Sequence, residues 1–420
     1  MALPDAVYLI FNVIGGIGII SAALFVVYRV MGTGHDMSCP AWLPHLVAVL
    51  WIVITTISYL RWTAETWASQ GRLVFGALSP ILVLFALGLT WWLPRRVRPL
   101  LIGAAVVFFA AVAICAPFGV IAPAYALPAP AESGTAQATF RAADGGTVAL
   151  LGARISTPTV QPDEYVMLEI DWQIEAPFSQ NWSLFVHLTT PDGVIVGQRD
   201  VYPGGGTLAT GDLAAGYAWR NPVAVAVPSS AYAPETLTVA VGWYDLATGA
   251  RLALPDGVET YPVGTVELQP RASDLNVPNP LSINFDNQIE LVGYAMSDLT
   301  PAAGASFELT LYWRAIQPVL QDYTVFAHVI DPATTTIYAG SDSAPGGSAT
   351  SSWTPGEIVE DRHTLTVNPD APPGIYEVEI GLYHNPDDGT FPRLRIVTAD
   401  GGMANDYTYL SRVRVLPRVQ

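Results

Sequence analysis

Four long apolar runs crowd the start of the chain: Val7 to Tyr28, Leu43 to Leu60, Leu73 to Leu93 and Leu100 to Ile121. Each approaches the roughly 20 residues a helix needs to cross the hydrocarbon core of a bilayer. Segments of this kind must bury their surface in lipid or in protein, and their lengths suit lipid. Beyond Ala126 the composition turns rich in Thr, Pro, Gly and Asp. The sequence therefore predicts a transmembrane domain of four spans over residues 1–126, followed by an all-β remainder.

The first run is not expected to be a cleavable signal peptide, since no basic region precedes it and no small-residue cleavage site follows. The loops suggest an orientation. Arg95, Arg96 and Arg98 gather in the tight third loop, and positive charge collects on the cytoplasmic side. Alternation then puts the N-terminus, the second loop with Arg61 and Arg72, and everything after Ile121 on the extracytoplasmic side. Trp42, Trp51, Trp62, Trp67, Trp91 and Trp92 cluster near span ends, where the headgroup layer favours such rings. Gly15, Gly16 and Gly18 in the first span offer room for close helix contact. Arg72, beside the third span, is either an anion site for a lipid phosphate or a residue snorkelling from a helix end.

The net charge is −17. Only Asp5, Asp36, Glu65 and Glu132 are acidic before Gly134, so the acidity belongs to the C-terminal part. A surface of that sign repels phosphates, which argues against nucleic acid as a partner. The two cysteines, Cys39 and Cys115, both precede Ala126, so the β region must be held by burial alone.

Residues 127–135 (LPAPAESGT) read as a short, extended linker. After it come short runs of Val, Thr, Tyr and Trp separated by Pro-Asp-Gly and Pro-Gly-Gly turns, the pattern of an antiparallel sandwich. The pattern occurs twice. Asp171-Trp172 is echoed by Tyr312-Trp313, Phe185-Val186-His187 by Phe326-Ala327-His328, Asp200 by Asp342, Pro203-Gly204-Gly205 by Pro345-Gly346-Gly347, and Gly242-Trp243-Tyr244 by Gly381-Leu382-Tyr383. The near-constant offset predicts two copies of one immunoglobulin-like sandwich domain, over 136–268 and 280–417, with a linker at 269–279.

Strand alternation separates core from surface. Leu168, Ile170 and Trp172, and in the second copy Leu309, Leu311 and Trp313, point inward. Phe185, His187 and Tyr244 in the first copy, and Tyr312, Phe326, His328 and Tyr383 in the second, point outward. These are the candidates for binding a glycan or a protein partner, because aromatic faces stack on sugar rings while His and Asp bond hydroxyls. The same residues could instead pack beneath a loop, between the domains or against the membrane part.

The echoed cluster brings one histidine in each copy, too few for a zinc site, and no cofactor is implied. The Asp-rich turns at Asp331, Asp342, Asp370 and Asp387-Asp388 lack EF-hand spacing and read as hairpin chemistry. No Gly-x-Ser-x-Gly elbow and no His-Glu-x-x-His is present. Glu308 with Glu377 or Glu379 could form a carboxylate pair, though strand carboxylates are more often solvated.

The run Gln70-Gly71-Arg72-Leu73-Val74-Phe75-Gly76-Ala77-Leu78-Ser79-Pro80 resembles a segment of bacterial membrane-embedded, polyprenyl-phosphate-sugar-dependent glycosyltransferases of the protein-mannosyltransferase-like GT-C class. Pro123-Ala124-Tyr125-Ala126 resembles their exit segment. Leu311-Tyr312-Trp313, Asp322-Tyr323-Thr324-Val325-Phe326-Ala327-His328, Ser352-Trp353-Thr354-Pro355-Gly356-Glu357 and Pro372-Pro373-Gly374-Ile375-Tyr376 are similar to their appended sandwich. The resemblance implies that Arg72 sits near a lipid-phosphate donor. The family's catalytic acid lies in the first outer loop of a membrane domain with many more spans; neither Asp5 nor Glu65 matches that position, so no catalytic residue is carried over. The expectation is the C-terminal half of a membrane glycosyltransferase system for cell-envelope glycosylation in the bacterial cytoplasmic membrane. It would be either a truncated relative or one piece of a split enzyme whose missing spans another protein supplies, and in both cases inactive alone. The alternative is a non-catalytic, membrane-anchored surface module that binds envelope glycan or a protein partner.

Overall fold

The computed structural model describes residues 5–31, 43–65, 71–132, 134–386, 389–399 and 401–418. The chain divides into two compact units, Met1–Ala126 and Leu127–Gln420.

The first unit is helical: α1 (Asp5–Met31), α2 (Leu43–Glu65), α3 (Leu78–Thr90) and α4 (Arg98–Ala116). Among the described residues, two helices, Leu43–Thr63 and Arg98–Ile121, are long and apolar enough to cross a membrane by themselves; the apolar stretches Gly15–Tyr28 and Val74–Thr90 are shorter. This is fewer than the four full spans the sequence predicts. One reason is local: Gly71–Ala77 winds as a 3-10 helix before α3 begins, so the third run is not one regular α-helix. Of the three glycines in α1, only Gly18 meets a neighbour, lying beneath the Phe85 ring, while Gly88 of α3 is approached by the Ala22 backbone. The small residues thus let α1 and α3 touch within the chain. Arg98 turns back to cap α3, donating from Nη2 to Trp91 O at 2.7 Å and from Nε to Leu93 O at 3.0 Å.

The second unit holds two sandwiches. The first comprises β1 (Ala138–Arg141), β2 (Thr147–Ile155), β3 (Thr159–Val160), β4 (Tyr165–Ala176), β5 (Ser183–Thr189), β6 (Ile195–Val201), β7 (Ala218–Ala226), β8 (Glu235–Tyr244) and β9 (Tyr261–Leu268). The second comprises β10 (Ile283–Phe285), β11 (Ile289–Met296), β12 (Ser306–Ala315), β13 (Tyr323–Asp331), β14 (Thr336–Ser343), β15 (Ile358–Thr366), β16 (Gly374–His384) and β17 (Thr408–Val415).

The sheet orders are β1-β2-β4-β7 facing β3-β9-β8-β5-β6, and β10-β11-β12-β15 facing β14-β13-β16-β17. β3 runs parallel to β9, and a single parallel bridge between Ala302 and Leu416 takes its place in the second copy. The echoed sequence segments occupy corresponding strands, and the crossovers between sheets follow the Greek-key order of an immunoglobulin-like sandwich.

Period-two burial explains the layers. Along β4 the even residues from Val166 to Ile174 are buried and the odd ones are not. Trp172, Trp219 and Trp243 meet in the first core, with Trp172 and Trp243 edge to face at 5.0 Å. Trp313 packs on Phe285 at 5.8 Å in the second. Burial of each large apolar side chain stabilises the fold by roughly 1.5–3 kcal/mol, which is how two domains without cysteine hold together.

The sandwiches are joined by more than the chain. Tyr294 OH donates to Ser230 O at 2.6 Å and Ala233 N to Asn279 Oδ1 at 2.8 Å. Arg412 Nη1 donates to Ile195 O at 2.8 Å and Arg414 Nη2 to Gly193 O at 3.3 Å.

The linker predicted at 127–135 is fastened down. Arg220 N donates to Ala129 O at 2.8 Å, and the Glu132 carboxylate reaches Arg220 at 2.9 Å and Arg154 at 3.4 Å. Hydrogen bonds from Arg220 and Arg154, then their charges, hold the Glu132 carboxyl below its usual value of 4.5. A carboxyl with a depressed folded pKa contributes stability above the unfolded value and loses it as pH falls through the folded one. Protection of the Arg220 amide from hydrogen exchange, corrected for intrinsic rate, is therefore expected to drop as pH is lowered from about 6 to about 3. Glu132→Gln should show the low-pH behaviour throughout; equal protection in both proteins would disprove the latch.

Candidate functional site

The outward face of the β8-β5-β6 layer, and its counterpart β16-β13-β14, each carry the same six-residue constellation. It starts from a glycine. Gly242 on β8 pairs with Phe185 on β5, and Gly381 on β16 pairs with Phe326 on β13. Because glycine has no side chain, each phenylalanine folds flat over its neighbour strand. An arginine closes the other side of the ring: Arg251 Cζ lies 4.9 Å above Phe185, and Arg393 Cζ lies 4.4 Å above Phe326. Phe185 and Phe326 point away from the sandwich cores yet are only 2% and 1% exposed. They form a second, outer layer of packing, and neither ring face is open to a ligand.

Around each ring stand a histidine, a tyrosine and an aspartate. His187 and His328 pack at 4.5 and 5.2 Å from Phe185 and Phe326. Tyr244 OH donates to Asp200 at 3.3 Å, and Tyr383 OH to Asp342 at 3.3 Å. Ser183 stands directly across the strand pair from Tyr244, and Thr324 across from Tyr383. In both copies burial first, and then the aspartate's charge, raises the tyrosine pKa.

The copies differ at the histidine. Burial and then the Arg251 charge lower the pKa of His187, which keeps it neutral. His328 Nε2 is 3.0 Å from Asp342 Oδ1, and its Nδ1 is 3.8 Å from Glu379.

Of the predicted site residues, the structure thus brings together Phe185, His187 and Tyr244 in one copy and Phe326, His328 and Tyr383 in the other. Tyr312 does not join them. It lies on β12, in the opposite sheet, where burial and then the Glu360 charge raise its pKa. Glu308 is on that sheet too, apart from Glu377 and Glu379 on β16, so these carboxylates form no pair. Arg72 falls in the 3-10 helix, and its side chain lies outside the described residues, as do Asp387 and Asp388. Asp331 caps its own turn, accepting from Ala333 N at 2.9 Å.

Three participants escape sequence reasoning. Arg251 and Arg393 carried a usable signal, since they fall at the repeat offset. Phe391 carried none. It is 57% exposed and stands edge-on to Tyr383 at 5.7 Å, making it the open aromatic ring of the second cluster. The β8-β9 connection, residues 245–260, contains no aromatic residue.

A second constellation is buried in the second sandwich. Asp361 accepts from Trp313 Nε1 at 3.1 Å and Gly346 N at 3.0 Å, with His363 Nε2 at 2.9 Å; His363 Nδ1 is 3.1 Å from Ser341 Oγ. Serine, histidine and aspartate in hydrogen-bonded series have the connectivity of a nucleophile relay. Here, however, the His363 side chain is fully buried, and none of the described cavities is lined by Ser341. The network anchors the Pro345–Gly347 turn. In the first sandwich Asn221 Oδ1 accepts from Gly204 N at 2.8 Å in the same way.

Among the described residues, no group of three or more His, Cys, Asp or Glu side chains is placed to hold a metal ion. The architecture is that of an apolar helical unit joined to a duplicated β-sandwich unit. No family model matches the chain, and no curated protein matches it. Among solved structures, it is similar to red sea bream transglutaminase, at 8% identity over 65% of this chain and 31% of that one, with a TM-score of 0.18. It is also similar to a marsupial T cell receptor, at 12% identity over 64% of this chain and 74% of that one, with a TM-score of 0.18. The chain spans about a third of the transglutaminase, and at these scores neither likeness carries an argument.

Proposed function

We propose that this chain is the membrane-anchored, outward-facing end of a glycosyltransferase system of the bacterial cytoplasmic membrane. Its helices cross the bilayer four times and its twin immunoglobulin-like sandwiches stand on the extracytoplasmic side. The observation that carries the reading is a chain of apolar helices leading, through a few residues, directly into a folded β unit.

Four spans are compatible with the helix lengths. The 27 residues of α1 would extend about 40 Å at 1.5 Å per residue, against a core of roughly 30 Å. α3 gains reach from the 3-10 helix before it. Arg72, in that helix, is the residue we assign to a polyprenyl-phosphate sugar's phosphate, as the resemblance implies. A protein partner would supply the remaining spans and the acidic loop. Purified chain incubated with polyprenyl-phosphate sugars and an acceptor should show no turnover; robust turnover without a partner would refute the proposal.

The twin outer-face clusters favour a second reading, a non-catalytic anchored module that recognises envelope glycan or a protein partner. Its supporting observation is the exposed Phe391 ring set beside Tyr383, whose hydroxyl reaches Asp342, the partner of His328.

A further inference from the structure

We infer that the loop end of the second sandwich, together with the Tyr383–Phe391 pair beside it, is a binding site for an uncharged, hydroxyl-rich oligosaccharide; this rests on the glycan reading of the second cluster.

An open cleft of about 570 Å³ lies there, lined by Leu320 to Thr324, by Ala344 and Gly347 to Ala349, and by His384 and Asn385. That is within the ~300–1,000 Å³ of small-ligand sites. Its walls are held in place before any ligand arrives. Thr350 Oγ1 accepts from Tyr323 N at 3.0 Å and donates to Gln321 O at 2.8 Å. Asp322 Oδ1 accepts from Ser351 N at 3.0 Å, and His384 Nδ1 is 2.9 Å from Asp322 O. Walls fixed in this way lose little conformational entropy on binding.

The cleft is continuous with the outer-face cluster. Thr324 lines it and stands directly across the strand pair from Tyr383, whose ring meets Phe391. A chain of sugar rings laid from the cleft across Tyr383 would present its C–H faces to Phe391 and to Leu320, which is 89% exposed. Its hydroxyls would meet the amide, carboxylate and hydroxyl groups of Gln321, Asp322 and Ser348. The lining contains no arginine or lysine and does contain a carboxylate, which disfavours phosphates and uronates. The first sandwich keeps the Ser183–Tyr244–Asp200 series but lacks an aromatic residue at the place of Phe391.

The test uses the full-length chain in nanodiscs on an array of neutral hexose and N-acetylhexosamine oligosaccharides, with uronate oligosaccharides and basic peptides alongside. Binding to neutral oligosaccharides is expected, about tenfold weaker in Leu320→Ala/Phe391→Ala. Both changes are at surface positions, and circular dichroism checks that the fold is kept. Binding that survives the double substitution but fails in Tyr244→Phe would overturn this site while leaving the glycan reading standing. Preference for uronates or basic peptides would overturn the ligand class, and no oligosaccharide binding at all would remove both readings.

Discussion

Asp361→Ala should destabilise the second sandwich by roughly 3–5 kcal/mol, the usual cost of removing one partner from a buried charged network. The side chain is 2% exposed; its Oδ2 accepts from Trp313 Nε1 and lies 2.9 Å from His363 Nε2, while its Oδ1 accepts from the Gly346 amide. Alanine would leave these donors facing apolar surroundings, each costing about 1–3 kcal/mol if unpaired. Asp361→Asn should be milder, because the first sandwich already works with Asn221 there. The first sandwich also shows the price of that choice: Trp172 Nε1 is buried with no partner among the described residues. Thermal unfolding followed by near-ultraviolet circular dichroism, with hydrogen exchange across 345–366 to localise the change, checks the ranking alanine, then asparagine, then wild type. Equal stability of the three would show that the network is dispensable.

Gly381→Val should be comparably damaging, at about 3 kcal/mol or more. A Cβ at this position would lie 2.5 Å from Phe326 Cζ and 2.8 Å from Asp406 O. The ring cannot retreat without breaking its stack under Arg393, and the carbonyl belongs to backbone. Displacing Phe326 would also disturb His328 and Tyr383, so the binding described above should be lost together with stability. Phe326→Ala/Gly381→Val supplies the discriminating measurement. If it recovers part of the stability lost in Gly381→Val, the ring is the cause; no recovery assigns the damage to the Asp406 carbonyl.

Much of the architecture was legible in the sequence because it rests on periodicity. The apolar runs coincide with α1 to α4, and alternation correctly sends Trp172 and Trp313 inward and Phe185 and Phe326 outward. What periodicity cannot encode is which strands become neighbours. Tyr312 and Phe326 have similar surroundings in sequence, yet β12 and β13 belong to opposite sheets. Outward also proved different from exposed, since burial of Phe326 depends on Gly381 and Arg393, which meet it only across strand pairs. Asp361 and His363 stand at inward positions of β15, so their anomaly was readable, but their partners Trp313, Gly346 and Ser341 come from other elements. Helix length follows a similar rule: an apolar run specifies that a segment is buried, whereas the 3-10 start at Gly71 depends on local backbone geometry.

The arginines at the junction of the sandwiches carry a consequence for self-association. β6 is the outermost strand of its sheet, and an outermost strand offers unpaired carbonyls on which another molecule's strand can nucleate. Arg412 and Arg414 donate to Ile195 O at the start of β6 and to Gly193 O just before it, occupying those carbonyls with side chains that cannot propagate a sheet. Duplication has thus given the first domain a built-in guard against polymerising with its neighbours, a hazard that grows when many copies share one surface.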